Sequence, residues 1–229
     1  MNINDPNVAL VELAVHKLGN LVDRFVLVGG CAAGLLITDI ARPPVRSTQD
    51  VDLIVEVTTL VNYYELSDQL KKLGFKENSE VICRWEIDSL KVDVMPTDET
   101  ILGFSNKWYS EVVAQAKRIS LPSSREVNLI SPPLFIATKL EAFYGRGNGD
   151  YGQSHDIEDI VNVIDGRQEL IFEIDQAGEH VKKYLAEEID DLLASPDFID
   201  KLSWHLHGDM DSQSRIPYVI SQLRSIAGL

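Results

Sequence analysis

The sequence has few cysteines and no long apolar run, and each shortage excludes a class of protein. Only Cys31 and Cys83 are cysteines among 229 residues, too few for a disulfide scaffold or a cysteine-rich zinc module. The longest apolar stretch falls well short of the roughly 20 residues that a membrane-spanning helix needs. Residues 1–6 contain no basic segment followed by an apolar core. We therefore expect no signal peptide, no membrane association and a cytoplasmic location.

Basic residues are scarce as well. The chain has 21 Lys and Arg against 36 Asp and Glu, a formal net charge of −15. Residues 151–200 hold 14 acidic and 3 basic residues, a net −11 that leaves −4 for the rest. A chain this acidic is not expected to bind DNA non-specifically by neutralising phosphates. The proportions of hydrophobic residues (45%) and charged residues (25%) are those of a folded globular protein.

The predicted secondary structure changes near residue 130. The first half alternates short β-rich runs with helical patterns, whereas almost only helical periods follow Ser131-Pro132-Pro133. This predicts an α+β chain with an α/β domain at 1–130 and a helical domain at 131–229. The stretch 145–154 contains four glycines and is predicted to be a flexible loop. Strands are predicted at 25–28, 50–57, 80–88, 90–95, 117–121 and 126–130, and helices at 7–22, 31–38, 59–73, 132–144, 156–165, 168–193, 197–206 and 213–226.

Paired carboxylates are the sharpest local feature. Asp50 and Asp52 lie two residues apart on a predicted strand, so their side chains share one face. Two adjacent carboxylates repel each other unless a cation lies between them, and Mg²⁺ suits this arrangement. A strand with one solvated face produces the same pattern. Asp93, on a later predicted strand, either approaches this pair or is itself a solvated edge residue.

A glycine pair follows the first predicted strand. Gly29-Gly30 stands directly before a predicted short helix. Backbone N–H groups at a helix N-terminus, free of obstructing Cβ atoms, can bind a phosphate. A tight turn is the alternative reading.

Taken in order, these features resemble the nucleotidyltransferase superfamily of the DNA polymerase β type. The superfamily's signature is a Gly-Gly or Gly-Ser turn, a later strand with two Asp residues, and a third acid on a following strand. The segment 46–53 (RSTQDVDL) also resembles the Arg-x-Thr-x-Asp-[Ile/Val]-Asp-Leu pattern of the AbiEii-like branch, which comprises bacterial toxin and phage-defence nucleotidyltransferases. Lys139-Leu140-Glu141-Ala142 and the acidic segment 155–160 match later elements of that branch. The resemblance covers roughly residues 24–165.

The resemblance implies a mixed β-sheet flanked by helices, followed by a helical domain. It also implies transfer of a nucleoside monophosphate from an NTP to an acceptor hydroxyl, with two Mg²⁺ ions, or Mn²⁺ in their place. Asp50 and Asp52 would ligate both ions, and Asp93 would ligate the acceptor-side ion and help to deprotonate the acceptor. The remaining implied site residues are Gly29 and Gly30 for the triphosphate, Lys139 and Arg46 for phosphate charge, and Asp156 as a base or metal-supporting acid.

One residue departs from the pattern, and two others have ordinary structural explanations. Cys31 stands where many relatives have Ser or Thr, and its thiol is a weak donor. We therefore expect either weaker nucleotide binding at Cys31 or binding by the helix N-terminus alone. Lys139 also fits an amphipathic helix as a surface lysine, and Asp156 fits the first turn of a helix, where the dipole favours acids.

Three functions remain open at this stage. The first is an AbiEii-like toxin that acts on RNA or protein and has an antitoxin protein as partner. The second is a small-molecule nucleotidyltransferase of the aminoglycoside-modifying type, because an acidic helical domain attracts a cationic acceptor. The third is a catalytically silent module that binds nucleotide or another protein. The retained Asp50, Asp52 and Asp93 argue against the third, and Cys31 argues weakly for it.

Overall fold

The computed structural model describes residues 5–146 and 149–229, which form two compact units. The sheet unit comprises residues 5–34 and 46–131, and the helical unit comprises residues 35–45 and 132–229. The helical unit thus takes in a short stretch, 35–45, from within the predicted first domain. Residues 147 and 148 of the predicted glycine-rich loop, and residues 1–4, lie outside the described residues.

A seven-stranded mixed sheet dominates the sheet unit. Its strands run in the order β3-β4-β5-β2-β1-β7-β6. β1 pairs antiparallel with β2 and parallel with β7, and β2 pairs parallel with β5. The three remaining pairs are antiparallel. The strands are β1 (Phe25–Val28), β2 (Val51–Val55), β3 (Lys76–Glu77), β4 (Arg84–Ile87), β5 (Leu90–Pro96), β6 (Lys117–Ser120) and β7 (Glu126–Leu129).

The inner strands are apolar because neighbouring strands and helices cover them. All four residues of β1 are buried, as are four of the five residues of β2. Asp52 is the exception in β2, a polar residue that is only half-buried within an apolar strand. Burying a carboxylate costs free energy unless it has partners, so the position of Asp52 marks a functional or structural requirement.

The helices of the sheet unit begin at residues that cap them. Asp5 accepts a hydrogen bond from Asn7 N and caps α1, and Thr59 accepts one from Asn62 N and caps α3. A 3₁₀ segment, Gly19–Arg24, links α1 to β1. The helices are α1 (Pro6–Leu18), α2 (Gly29–Leu36), α3 (Leu60–Lys72), α4 (Glu99–Leu102) and α5 (Tyr109–Gln115), with α2 reaching into the first residues of the helical unit.

The helical unit contains seven further helices in the described chain. Residues 35–45 are attached to it by hydrogen bonds from Thr38 N and Asp39 N to the Gly166 carbonyl oxygen, at 3.0 and 2.9 Å. Ile37 also packs closely on Gly166, since a Cβ added to Gly166 would lie 2.8 Å from Ile37 Cγ2. The helices are α6 (Pro132–Arg146), α7 (His155–Gly166), α8 (Leu170–Asp175), α9 (Glu179–Ala194), α10 (Pro196–Lys201), α11 (Met210–Gln213) and α12 (Ile216–Ala227).

The predicted α+β class, with a mixed sheet, flanking helices and a following helical region, is confirmed. None of the helices in the described ranges is both long and apolar enough to cross a membrane.

Candidate functional site

Asp52, Asp93 and Arg84 lie side by side on three neighbouring strands. Asp52 of β2 is the register partner of Asp93 of β5, and Asp93 is in turn the partner of Arg84 of β4. Register partners project from the same face of a sheet. Asp50, which was predicted to begin this strand, lies in a bend one residue before β2, and its carboxylate is joined to Asp93 through Arg84 Nη2. The structure therefore brings together the three predicted carboxylates and adds an arginine to them.

Arg84 forms a guanidinium bridge between two of these carboxylates. Its Nε donates to Asp93 Oδ1 at 2.7 Å, and its Nη2 donates to Asp93 Oδ2 at 2.8 Å and also to Asp50 Oδ2. The side chains are 18% (Arg84), 12% (Asp93) and 30% (Asp50) exposed. The hydrogen bonds to Asp93 outweigh desolvation and, with the charges of both carboxylates, raise the pKa of Arg84 further above its ordinary value. Arg84 therefore stays positively charged, and its contact with Asp93 is bidentate.

Arg84 was not among the residues predicted from the sequence, although the sequence contains a signal for it. The predicted strands 80–88 and 90–95 are almost contiguous, which indicates a tight hairpin, and its two-residue turn at Asp88-Ser89 pairs Ile87 with Leu90. Counting outward from that pair places Arg84 opposite Asp93.

Gly29 allows the Asp52 carboxylate to lie against the start of α2. Its φ is +65°, a conformation that favours glycine, and a Cβ there would lie 1.8 Å from Asp52 Oδ2. Val28, the residue before Gly29, is the register partner of Asp52. Gly30 follows as a buried residue in the first turn of α2. The glycine pair thus combines close approach to Asp52 with a helix N-terminus, whose first N–H groups have no partner within the helix.

A hydrogen-bond network positions the segment 46–50 that leads into β2. Cys31 Sγ lies 3.0 Å from Thr48 Oγ1 and donates to the carbonyl oxygen of Asp50 at 3.3 Å. Thr48 N donates to Asn7 Oδ1 at 2.9 Å, and Asn7 Nδ2 donates to the carbonyl oxygen of Arg46 at 2.9 Å. The half-buried Arg46 is therefore held through its backbone.

Cys31 is buried within this network rather than displayed at its surface. Its side chain is buried, and desolvation raises the pKa of its thiol to about 12, so it is a protonated hydrogen-bonding group at neutral pH. Desolvation likewise raises the pKa of Cys83 to about 11. Neither thiol is suited to nucleophilic chemistry.

Lys139 and Asp156 meet in the helical unit. The buried Lys139 Nζ of α6 lies 3.1 Å from Asp156 Oδ1 and 2.7 Å from Asp159 Oδ2, both on α7. Arg146 donates from Nε and Nη2 to the two Asp156 oxygens, at 3.1 and 3.0 Å. Asp156 and Asp159 are also buried. Two cations and two carboxylates therefore form a compact ion-pair cluster of no formal net charge.

The environment of Asp156 keeps it ionised. Burial raises its pKa, but the Lys139 charge and the Arg146 hydrogen bond and charge outweigh this effect and hold the pKa below its ordinary value. An acid with a lowered pKa is a poor general base near neutral pH. The contacts of Asp156 suit it to orienting Lys139.

The carboxylates beside Arg84 have the chemistry of ligands for a divalent cation. Carboxylate oxygens are the ligands that Mg²⁺ prefers, and Asp52 is paired with Asp93, which Arg84 joins to Asp50. In residues 5–146 and 149–229, however, no three His, Cys, Asp or Glu side chains already lie close enough together to hold a metal. Arg84 holds both oxygens of Asp93 and one oxygen of Asp50. The donor set fits a hard cation in its chemistry, provided that Arg84 moves away.

Comparison with solved structures identifies the fold. The chain is similar to an antigenic nucleotidyltransferase-like protein from Paracoccidioides brasiliensis, with a TM-score of 0.54, 22% identity, and coverage of 87% of this chain and 93% of that one. This likeness shows that the chain has a nucleotidyltransferase-like fold.

Two structures of the antibiotic-resistance factor ANT(2'')-Ia match more weakly. The solution structure has a TM-score of 0.47 and 16% identity, covering 82% of this chain and 93% of that one. A crystal structure in complex with adenylyl-2''-tobramycin has a TM-score of 0.44 and 17% identity, covering 80% and 97%. No family model and no curated protein matches the chain.

Proposed function

We propose that this protein is a metal-dependent nucleotidyltransferase, which moves a nucleoside monophosphate from an NTP to an acceptor hydroxyl and releases pyrophosphate. The observation that carries the proposal is the pairing of Asp52 with Asp93, with Asp50 joined to Asp93 through Arg84, beside the glycine-started helix α2. A nucleotidyltransferase-like fold supports it. No other arrangement described above combines clustered carboxylates with an anion-binding helix start.

In this mechanism Asp50, Asp52 and Asp93 would hold two Mg²⁺ ions, or Mn²⁺. Bound metal would supply Lewis-acid stabilisation of the phosphoryl group that is transferred. Gly29 and Gly30 would contact the triphosphate through the backbone at the start of α2. An Asp93 carboxylate oxygen would accept the proton of the acceptor hydroxyl.

Two cationic residues would complement the phosphate charge. Lys139 would neutralise charge that develops during transfer, the role that the sequence resemblance implies, and Asp156 and Asp159 would fix its position. Arg46, four residues before Asp50, would act on the same charge. Asp156 is in this proposal a positioning residue for Lys139, because its lowered pKa does not suit a base.

For the acceptor, we propose RNA or protein, as in the AbiEii-like branch that the segment 46–53 resembles. A toxin of this kind would arrest growth when expressed and would have an antitoxin protein as partner. A cationic small molecule such as an aminoglycoside is the second candidate, favoured by the net charge of −11 in residues 151–200. The Arg84 bridge favours a third candidate, a silent nucleotide-binding module in which the arginine permanently replaces metal.

The test is a label-transfer assay. The protein is incubated with Mg²⁺ or Mn²⁺, each α-³²P-labelled NTP, and total RNA, protein or aminoglycosides. An Asp52→Asn variant and an Asp50→Ala/Asp52→Ala double variant run beside it. Asp88→Asn is the matched control, because Asp88 is 74% exposed and forms a surface ion pair with Lys17.

The proposal predicts transfer by the native protein and the control, and none by the active-site variants. The labelled species identifies the acceptor class. Equal labelling by native protein and Asp52→Asn would contradict the proposed site, and nucleotide binding without transfer to any acceptor would favour the silent module.

A further inference from the structure

The Arg84 bridge has a chemical consequence for metal binding. The Arg84 guanidinium bonds to both Asp93 oxygens and to Asp50. It is therefore the positively charged partner of the same oxygens that a divalent cation would bind. Each oxygen that Arg84 holds already has one lone pair engaged and part of its negative charge neutralised, so it binds a cation less strongly. Metal and Arg84 therefore compete for Asp50 and Asp93.

Displacement by metal alone would leave Arg84 in a costly state. Its side chain is 18% exposed, and a half-buried arginine that loses both of its carboxylate partners is destabilised. A triphosphate removes this cost, because phosphate oxygens accept bidentate hydrogen bonds from guanidinium as carboxylates do. Metal and nucleotide together can thus satisfy the carboxylates and the arginine at once.

We propose that Arg84 is the counter-ion of Asp50 and Asp93 in the metal-free protein. When a metal–nucleotide complex binds, Arg84 transfers from these two carboxylates to the triphosphate. The nucleotide part of this inference rests on the proposed function. The competition between Arg84 and metal does not, since it follows from the bridge itself. The device makes metal binding conditional on nucleotide.

The first test measures Mn²⁺ binding without nucleotide, from the electron paramagnetic resonance signal of free Mn²⁺. The native protein is compared with Arg84→Gln and Arg84→Lys. Arg118→Gln is the matched control, because Arg118 also bridges two carboxylates, Asp23 and Glu126, but is 51% exposed on the same unit.

We expect Arg84→Gln to bind Mn²⁺ at least about tenfold more tightly than the native protein, since it releases two carboxylates. Arg84→Lys should fall between them, because an ammonium is a point charge that cannot form the bidentate contact. Arg118→Gln should match the native protein. A folded Arg84→Gln variant that binds Mn²⁺ no more tightly than the native protein would overturn the competition.

The second test follows the native protein and does not depend on any variant folding. The Arg84 Nε–H resonance is assigned by nitrogen-15 NMR, and the protein is titrated with Mg²⁺ alone, then with Mg²⁺ and a non-hydrolysable NTP. We expect a clear change in this resonance only with the complex. An unchanged resonance at saturating complex would overturn the transfer of Arg84.

Nucleotide dependence gives a third comparison. The non-hydrolysable NTP should tighten Mn²⁺ binding in the native protein much more than in Arg84→Gln, and equal tightening in both would overturn the transfer.

The experiments distinguish failure of the proposed function from failure of the competition between Arg84 and metal. Tighter Mn²⁺ binding by Arg84→Gln, with no label transfer by the native protein, would refute the nucleotidyltransferase function but retain the competition.

Discussion

Replacing Gly29 by alanine is expected to displace the Asp52 carboxylate and so to damage both stability and activity. The new Cβ would lie 1.8 Å from Asp52 Oδ2 and 2.7 Å from Asp52 Cβ. To restore an ordinary contact of 3.4 Å or more, the carboxylate must move by about 1.6 Å. Because Asp52 is the register partner of Asp93 and a proposed metal ligand, this movement changes the geometry of the proposed site.

Two costs contribute to the loss of stability. A non-glycine residue in the left-handed region at φ +65° costs about 1–2 kcal/mol. Crowding against a packed side chain typically costs a further 1–3 kcal/mol or so. The free energy of unfolding should therefore fall by about 2–5 kcal/mol. A displacement of about 1 Å in a reacting group can lower the rate about 100-fold, so a comparable loss of kcat is expected.

Gly103→Ala is the matched control for the backbone cost. Gly103 has φ +82°, lies in the same unit, and its added Cβ would meet nothing within 4 Å. Urea unfolding followed by circular dichroism should give a loss of about 1–2 kcal/mol for this variant, with label transfer unchanged. If Gly29→Ala is no less stable than Gly103→Ala and keeps native activity, the close approach of Asp52 to the helix start is refuted.

Three further changes test the buried charges and thiols. Lys139→Met should lower the free energy of unfolding in urea by about 3–5 kcal/mol, because it leaves the buried Asp156 carboxylate without its ammonium partner. A loss under about 1 kcal/mol would contradict this expectation. Because its folded-state pKa is lowered, Asp156 contributes stability that is fully present above the ordinary carboxyl pKa of about 4 and is lost as pH falls through the lower folded-state value. Asp156→Asn should therefore show a flatter acid dependence of unfolding than the native protein, and identical slopes would disprove the assignment. Cys31 and Cys83 should resist iodoacetamide at pH 8 until denaturant is added, since burial raises the pKa of their thiols to about 12 and about 11. Mass spectrometry measures the labelling, and rapid labelling of the native protein would refute their burial.

The inner strands could be predicted because their composition depends on local burial. The apolar run 25–28 ends at the glycine pair, and β1 has those bounds. β3, at Lys76–Glu77, was not predicted, because its two residues are exposed and carry no alternation of apolar and polar residues. The short helices α4 and α5 were missed as well, since four to seven residues give little periodicity to detect.

The candidate site was predictable where residues lie close in sequence and less so where pairing is distant. The closeness of Asp50 to Asp52 follows from a spacing of two, although Asp50 lies in the bend before β2 and not on the strand itself. The register of Asp52 with Asp93 depends on β2 and β5 becoming neighbours, which no local pattern determines. The ion pairs of Lys139 with Asp156 and Asp159 likewise require two helices to pack together, so the sequence indicated each residue separately but not their contact.

Calorimetric binding of a non-hydrolysable NTP with Mg²⁺ most directly tests whether the carboxylate face beside α2 is a nucleotide site. The native protein, Asp52→Asn and the surface control Asp88→Asn would be titrated under identical conditions. Binding by the native protein and the control, with at least about a tenfold loss of affinity in Asp52→Asn, is the predicted result. Absence of binding by the native protein, or equal affinity in Asp52→Asn, would contradict it.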